Sequence, residues 1–320
     1  MDKKYEILND NYIMFDVHKL FRIRALKDFQ TVNGRTVKAG DLGGYIQSEE
    51  NLSQDGKSWV AGDAKVYNDA CVSDNACVYD NAKVYDKACV FNNARVYGNA
   101  DVYGNACVCS NAKVGNNACV YGDANVYGNA WVYGNAYVYG NANVCENTKV
   151  YDNADVYDNA KVFNNACVYG NARVYDNAEV YDNACVFGDA CVYGNARVYD
   201  NAEVSDNACV FDDAYVYGNA FVFGKANVFG EAKVCSYAEV GNNANICNIA
   251  DYICIKGLGS IWRVTTFYKC KDNHIGVTCG CFEGTLDEFV SKVESTHKNN
   301  KFGKEYLAVV EVVKIHFGLD

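Results

Sequence analysis

The sequence predicts a mainly β protein: a parallel β-solenoid with a different structure at each end. Three observations lead to this prediction. Valine occupies every sixth position from Val60 to Val240, and Ile246 continues the series. Alanine follows four residues after each of them, with Thr148 as the sole substitute. These 32 hexads contain no insertion or deletion, and the chain has no proline to interrupt a ladder of strands.

Each hexad predicts a short strand followed by a bend. In the triplet Ala-x-Val, alternate side chains of a strand face the same way, so alanine and valine point inward and the free residue x points outward. The next three residues are most often Tyr, then Gly or Asp, then Asn. Gly, Asn and Asp tolerate a positive φ and therefore suit a corner. Packing and backbone geometry thus fix five positions of six.

The repeat resembles that of hexapeptide-repeat proteins, whose usual motif is seen in Val114-Gly-Asn-Asn-Ala118 and Val240-Gly-Asn-Asn-Ala244. The resemblance implies a single-stranded left-handed parallel β-helix in which three hexads make one triangular coil. The 32 hexads then give about ten to eleven coils. A right-handed solenoid is the alternative, although its coils are usually longer and less regular.

The second position of the hexad departs from the common motif. Tyr or Phe stands there in 23 of the 32 hexads, where glycine is usual. If coils stack every 18 residues, these rings form ladders along the edges, such as Tyr121, Tyr139, Tyr157 and Tyr175. The rings either stabilise the edges by stacking or present an aromatic surface to a partner.

Charges at the free position give a partial check on the stacking. At a spacing of 18 residues, opposite charges face each other five times and like charges twice. A spacing of six residues gives six opposite pairs and no like ones, so the check favours stacked coils without deciding their period. The opposite pairs at spacing 18 are Lys83/Asp101, Asp155/Arg173, Lys161/Glu179, Glu179/Arg197 and Lys233/Asp251.

The loss of the hexad at both ends divides the chain into three regions. We expect an N-terminal capping region over 1–59, the hexapeptide-repeat β-helix over 60–251 and a C-terminal α+β cap over 252–320. In the first region, 20–25 and 31–37 read as strands, and Asn33-Gly34 suits a type I′ hairpin turn. Ile46 and Leu52 fit imperfect first hexads.

The C-terminal region reads as two strands followed by helices. The strands are expected over 261–270 and 274–282, with Asp272-Asn273 as their turn. Thr285 and Glu288 form a capping box that predicts a helix over 285–298. The last segment, 304–317, fits a second helix, although its valines leave a strand open.

The segment KDFQTVNGRTVKAGDLGGYI, which precedes Trp59 and the hexads, resembles the bacterial YdcK-like repeat proteins. Closely similar chains occur among phage and prophage proteins, and the tail CGCFEGTLDEF is loosely similar to such proteins. The main resemblance covers the N-terminal region and the repeat. Members are commonly labelled transferases because acyltransferases share the fold, and a fold does not establish a function.

The histidines argue against acyl transfer. Hexapeptide acyltransferases typically use a histidine base and a loop that protrudes from a coil. The four histidines (His18, His274, His297 and His316) all lie outside 60–251, and no hexad carries an inserted loop. We therefore predict no catalytic residue and favour a non-catalytic solenoid over an enzyme. An acyl-CoA-dependent hexapeptide acyltransferase is the alternative.

The charge of the repeat restricts its partners. Residues 60–251 contain 23 acidic and 11 basic residues, a net charge of −12, and the whole chain carries −11. Such a surface repels nucleic acid and anionic membranes, so direct binding to either is not expected. The prediction is a phage-type structural or protein-interaction scaffold with an unknown protein partner, and a variant of it mimics DNA toward a basic host protein. A homo-oligomer stays open.

The N-terminal sequence MDKKYEILND has no signal-peptide pattern, so a cytoplasmic location and 17 mostly reduced cysteines are expected.

Nine cysteines lie at the free position. In-register neighbours are about 4.8 Å apart, slightly too far for a relaxed disulfide. Nothing nearby is expected to lower their pKa, so they read as tolerated small residues, with redox or metal capture as the alternative. The predicted stacks are Cys71/Cys89/Cys107, Cys167/Cys185 and Cys191/Cys209.

The tail contains Cys270-x3-His274-x4-Cys279-x-Cys281, three thiols and an imidazole of the kind that bind zinc tetrahedrally. The spacing is not a recognised zinc signature, and Cys279 and Cys281 are expected on one face of a strand. The alternative is ordinary strand cysteines that pack against the C-terminal helix. No cofactor is predicted.

Overall fold

A computed structural model describes residues 3–319 and is mainly β. It contains a parallel β-solenoid of about 11 coils, a small C-terminal antiparallel sheet and two C-terminal helices, which confirms the predicted fold class. The left-handed sense of the coil stays a prediction. The chain forms two compact units, one up to Gly170 and the other from Asn171 onward, and they are described in turn.

The first unit begins with two hairpins. Strand β1 (Tyr5–Phe15) pairs antiparallel with β2 (His18–Ala25), as predicted for 20–25, and β3 (Phe29–Gln30) pairs with β4 (Thr36–Val37). The expectation of a strand over 31–37 is only partly right, because residues 31–34 form the turn.

That turn is not of type I′. Gly34 has a positive φ of +84°, whereas Asn33 is not in the left-handed region, and type I′ requires both. The Gly34 amide donates to the Thr31 carbonyl at 2.9 Å, so glycine is the fourth residue of the turn and not its third.

The N-terminal hairpin closes the edge of the first coil. Strand β5 (Leu42–Ile46) pairs antiparallel with β2 on one side and parallel with β7 (Lys65–Val66) on the other. Ile46 lies opposite Val66, and Leu52 forms a parallel bridge with Val72. The imperfect first hexads are thus confirmed, and β2 covers an edge that would otherwise expose unpaired backbone groups.

The hexads form the coils by repeating one small strand. A two-residue strand recurs every six residues from β6 (Trp59–Val60) to β24 (Cys167–Val168) in the first unit, and from β25 (Arg173–Val174) to β37 (Asn245–Ile246) in the second. Within each unit, strands 18 residues apart pair in parallel, as Val84 does with Val102 and Val180 with Val198. Three hexads therefore make one coil. The valine side chains of the hexads and the alanine side chains from Ala64 to Ala244 are buried, as predicted, whereas Ala250 lies in the 3-10 helix Ile249–Asp251 and is exposed.

Two residues of each corner have different roles, one in bending the backbone and one in bonding to the next coil. The third letter of every hexad, from Gly62 to Asn242, has a positive φ. The fourth letter, usually asparagine, instead bonds to its counterpart in the next coil: Asn111 donates to Asn129 at 3.1 Å, and Asn129 donates to Asn147 at 3.0 Å. The sequence reading assigned both letters to backbone bending, and only the third serves that purpose.

The second letter builds the predicted aromatic ladders. Tyr103 and Tyr121 stack with ring centroids 4.8 Å apart and planes 3° from parallel, and Tyr139 continues the column at 4.9 Å. Such stacks stabilise by roughly 0.5–1.5 kcal/mol per pair. At the outward position, Lys83 and Asp101 form the expected ion pair at 3.1 Å.

Two more of the expected ion pairs have clear outcomes in the second unit. Glu179 pairs with Arg197 at 3.2 Å, as predicted. The pair Lys233/Asp251 is wrong, because Asp251 lies in a short 3-10 helix at Ile249–Asp251 and its carboxylate instead binds Lys269 at 2.8 Å.

The C-terminal part of the second unit is a four-stranded antiparallel meander with two helices. Gly280, with a φ of +61°, turns the chain and splits the single strand predicted over 274–282 into two. Thr285 and Glu288 form the predicted capping box, and the segment 304–317 is helical. The elements are β38 (Tyr252–Leu258), β39 (Arg263–Lys269), β40 (Ile275–Cys279), β41 (Phe282–Thr285), α1 (Leu286–His297) and α2 (Lys301–Phe317).

The meander contacts the helices through an apolar core and the last coils through hydrogen bonds. Phe267, Phe289 and Val310 belong to the core beneath the helices. Toward the coils, the Glu239 amide donates to Thr266 Oγ1 and the Lys271 amide to the Asn243 carbonyl, both at 3.0 Å. Neither helix is long and apolar enough to cross a membrane.

Candidate functional site

Two successive faces of the coils carry exposed aromatic side chains in the first unit. Trp131 and Tyr137 stand at successive free positions and are 40% and 43% exposed. Trp131 meets Tyr133 edge to face at 6.3 Å, and the Lys113 ammonium lies 3.9 Å from the Trp131 ring centroid. We call Trp131, Tyr133 and Tyr137 the corner patch. Exposed Trp and Tyr are the side chains most often found at the centre of protein interfaces.

A second exposed apolar feature lies in the turn between β38 and β39. Trp262 is 76% exposed and has a φ of +57°, a conformation that bulky residues rarely adopt, and its neighbour Ile261 is also exposed. Nothing in the packing of Trp262 explains why a large apolar ring is held in solvent. This turn therefore ranks with the corner patch as a candidate contact surface.

A groove of about 470 Å³ lies where the last coils meet the C-terminal meander. The Tyr252 hydroxyl accepts from the Cys235 amide at 3.3 Å, and its single proton has two acceptors within reach, the Lys233 carbonyl at 3.0 Å and the Cys235 sulfur at 3.6 Å. The residues that line the groove include Cys235, Tyr237, Ile249, Tyr252, Cys254 and Lys256.

Cys235 and Cys254 are the two thiols of this groove, and their surroundings differ. Its sulfur lies 3.6 Å from the Tyr252 hydroxyl and 3.8 Å from Ser236 Oγ. Burial raises the pKa of the Cys235 thiol, but hydrogen bonds from Tyr252, Tyr217 and Ser236 outweigh it, and the pKa is lowered. In Cys254, by contrast, burial dominates and raises the pKa.

A second perturbed thiol corrects the expectation that nothing lowers a cysteine pKa on the coils. Cys191 lies in register with Arg173 on one side and Cys209 on the other. The hydrogen bond from Cys209 lowers the pKa of Cys191 to about 6 against the effect of burial, and Arg173 contributes. Sharing that proton raises the pKa of Cys209. The in-register stack Cys191/Cys209 is confirmed, and so is Cys71/Cys89/Cys107.

The histidines make local contacts at the flanks of the coils. His316 Nε2 lies 2.9 Å from the Ala250 carbonyl, where it ties α2 to the end of the last coil. His297 packs beside Tyr306, and His18 packs beside Tyr67. These local contacts explain the positions of the three histidines.

The structure brings together two of the four predicted zinc ligands. Cys270 and His274 meet across the turn between β39 and β40, and Asp272 joins them, with one ligand atom of each within 4.8 Å of the others. Cys279 lies instead in the core, where its sulfur accepts a hydrogen bond from Thr265 Oγ1 at 3.2 Å. Cys281 follows the Gly280 turn and is exposed, so the two cysteines do not share a strand.

Sequence reasoning missed Asp272 and the groove at Cys235. Asp272 was assigned only to a turn, although Cys-x-Asp-x-His is a set of ligand types at alternate positions. The groove could have been anticipated from Cys235. Tyr199 and Tyr217 stack at the second position of successive coils, and Cys235 stands at that position in the next coil, where a third ring would continue the stack. Tyr252, which fills that place, comes from outside the repeat. Comparison with protein-family models and with curated proteins finds no match to the chain.

Proposed function

We propose that the chain is a non-catalytic β-solenoid that acts as a phage- or prophage-type structural or protein-interaction scaffold. The observation that carries this proposal is the uniformity of the hexads between residues 60 and 246. Valine and alanine fill the core, the second and fourth letters stack between coils, and the third letter bends the backbone. The free position of each hexad takes no part in this packing and is therefore the most available to a partner.

The mechanism of such a scaffold is geometric. Side chains at the free position of in-register strands stand about 4.8 Å apart, so each unit presents them at a fixed spacing. The corner patch and the Trp262 turn supply the large, rigid side chains on which protein interfaces commonly depend. Both are exposed without serving the core.

We also propose membership in the YdcK-like group of phage and prophage repeat proteins. Support comes from the segment 27–46, which carries the resemblance and forms the second hairpin and the strand that starts the first coil. Cytoplasmic residence belongs to the same proposal.

An acidic-mimic variant of the scaffold rests on charge. The net charge of −12 over residues 60–251 suits a basic, nucleic-acid-binding host protein as the partner. Binding by this variant falls steeply as salt rises, because screening weakens contacts between exposed charges. Binding through the aromatic residues depends much less on salt.

The test is affinity capture from bacterial lysate with quantitative mass spectrometry, using the full chain. Three baits accompany the wild type: Trp131→Ala/Tyr137→Ala, Trp262→Ala and, as an outward control, Asn125→Ala. A specific partner lost with the double variant assigns recognition to the coils, and one lost with Trp262→Ala assigns it to the C-terminal cap. A partner retained by all baits and released by salt supports the acidic variant. No specific partner for any bait contradicts the scaffold.

Acyl transfer is the function to test against this proposal. The corners of the described hexads, from Gly62 to Asn242, share one backbone conformation and carry no inserted loop that would enclose acyl-CoA. We expect titration with acetyl-CoA to give no saturable binding. Saturable binding would favour a transferase.

A further inference from the structure

The turn between β39 and β40 gathers three metal-ligating side chains. The Cys270 amide donates to the His274 carbonyl, and the Asn273 amide donates to the Cys270 carbonyl, both at 3.0 Å. Asn273 has a φ of +64°, which closes the turn tightly. Residues 270, 272 and 274 thus alternate around one short loop, and one ligand atom of each lies within 4.8 Å of the other two.

Carboxylates lie close to the Cys270 thiol in this cluster. Burial, with help from the Asp272 and Glu283 carboxylates, raises the pKa of the Cys270 thiol to about 11. The lysines that flank Cys270 are engaged elsewhere. Lys269 binds Asp251 at 2.8 Å, and the Lys271 ammonium donates to the Lys225 carbonyl at 3.2 Å.

Room for the Cys270 sulfur depends on a glycine. A Cβ on Gly276 would lie 2.3 Å from the Tyr268 ring and 3.0 Å from that sulfur, so a side chain here would displace the ring and crowd the thiol. The Cys270 side chain is buried, His274 is half-buried and Asp272 is exposed. The cluster therefore opens to solvent on the side of the carboxylate, which leaves a route for an ion.

We propose that Cys270 Sγ, the Asp272 carboxylate and His274 Nδ1 bind a divalent ion of the zinc class. Sulfur, nitrogen and oxygen donors together suit Zn²⁺, which takes four ligands tetrahedrally, and a fourth position is left for water. This site differs from the set read from the sequence, because Asp272 takes the place of the two other cysteines.

Binding requires a small rearrangement and the loss of a proton. His274 Nδ1 and Asp272 Oδ1 lie 2.5 Å apart as a hydrogen-bonded pair. Around a tetrahedral zinc ion, nitrogen and oxygen ligands stand roughly 3.3 Å apart, so these atoms separate by under about 1 Å. The ion displaces the proton of the Cys270 thiol, which passes to solvent, and it needs His274 as the neutral imidazole whose proton is on Nε2, so that Nδ1 is free to bind.

Cobalt provides the direct test, because a thiolate bound to Co²⁺ produces a charge-transfer absorption band that carboxylate and imidazole ligands alone do not produce. The full chain, reduced and stripped of metal with a chelator, is titrated with Co²⁺ and then with Zn²⁺. We expect the charge-transfer band to saturate at one cobalt ion per chain and to disappear as zinc displaces cobalt.

Two variants of the ligands nearer to solvent, together with one control variant, test where the metal ion binds. Asp272→Asn and His274→Gln leave the buried cysteine in place, and each is expected to weaken cobalt binding about tenfold or more. Cys281→Ser, in a nearby exposed turn, is expected to leave it unchanged. Circular dichroism confirms that each variant is folded.

Three results would overturn the proposal. One is a wild-type chain that gives no thiolate band. Another is binding that both variants retain in full. The third is loss of the band with Cys281→Ser, which would point back to the ligand set read from the sequence.

Discussion

At the scale of single residues, the asparagine in the fourth position of the hexad does more than tolerate a corner. Where asparagines recur at this position in successive coils, an amide donates to the side chain 18 residues further on and accepts from the one 18 residues before, as Asn129 does between Asn111 and Asn147. Aspartate at the third position serves a related purpose: Asp200 Oδ2 accepts from the Gly218 amide at 3.0 Å. The corners are thus tied from coil to coil by side chains.

This ladder predicts an unequal effect of two asparagine substitutions. Asn129→Ala removes two side-chain hydrogen bonds between coils, and we expect it to lower the free energy of unfolding by about 1–2 kcal/mol. Asn125→Ala, at an outward position, removes only a local bond to the Asp123 carbonyl at 3.1 Å and should cost less than about 0.5 kcal/mol. Urea unfolding of both variants measures the difference. Equal effects would mean that the ladder does not stabilise the coil.

Among the elements, the coil strands could be predicted and several of their contacts could not. The spacing of valine and alanine fixes which side chains face the core, because a strand has a period of two residues. The asparagine ladder is invisible in one hexad, since it exists only once coils stack in register. Likewise, Asp272 joins Cys270 and His274 only because the turn closes. Gly280, which lies between Cys279 and Cys281, is a turn signal that the prediction of a single strand over 274–282 did not take into account.

Strand β38, which follows the last coil, begins with Tyr252, and the contact between Tyr252 and Cys235 predicts that Cys235 is a reactive thiol. Because hydrogen bonds lower the pKa of Cys235 and burial raises that of Cys254, Cys235 holds more thiolate near pH 7. We expect iodoacetamide to modify Cys235 faster than Cys254 in the same groove. Tyr252→Phe removes a hydrogen-bond donor, so it should raise the pKa of Cys235 and slow its alkylation by about threefold to tenfold at pH 7.

Site-resolved mass spectrometry of the alkylated chain measures both rates in one sample. The rate at Cys254 is the internal control, because a groove opened by the substitution would expose both thiols. An unchanged or faster reaction at Cys235 in Tyr252→Phe, with Cys254 unaffected, would show that the tyrosine does not tune the thiol.

For the whole molecule, the dominant electrostatic fact is the net charge of −11. Carboxylates repel one another across the surface, and the exposed ion pairs offset little of that repulsion. Salt screens such repulsion, so we expect the free energy of unfolding to rise as ionic strength increases from low values. The same repulsion would favour a basic partner, which links the stability of the chain to its proposed function.

Three aspartates allow this repulsion to be measured without breaking the fold. Asp123, Asp189 and Asp213 stand in ladder positions and accept from an asparagine amide at 2.8, 2.8 and 3.0 Å. Changing all three to asparagine keeps an amide oxygen as the acceptor and removes three negative charges. We expect the free energy of unfolding, measured in urea at several salt concentrations, to depend less steeply on salt in the triple variant. The slope is the decisive quantity, because any change in hydrogen-bond strength shifts stability at every salt concentration, whereas repulsion fades as salt rises. A slope equal to that of the wild type would mean that these charges act only locally, and it would also weaken the acidic-mimic variant of the scaffold.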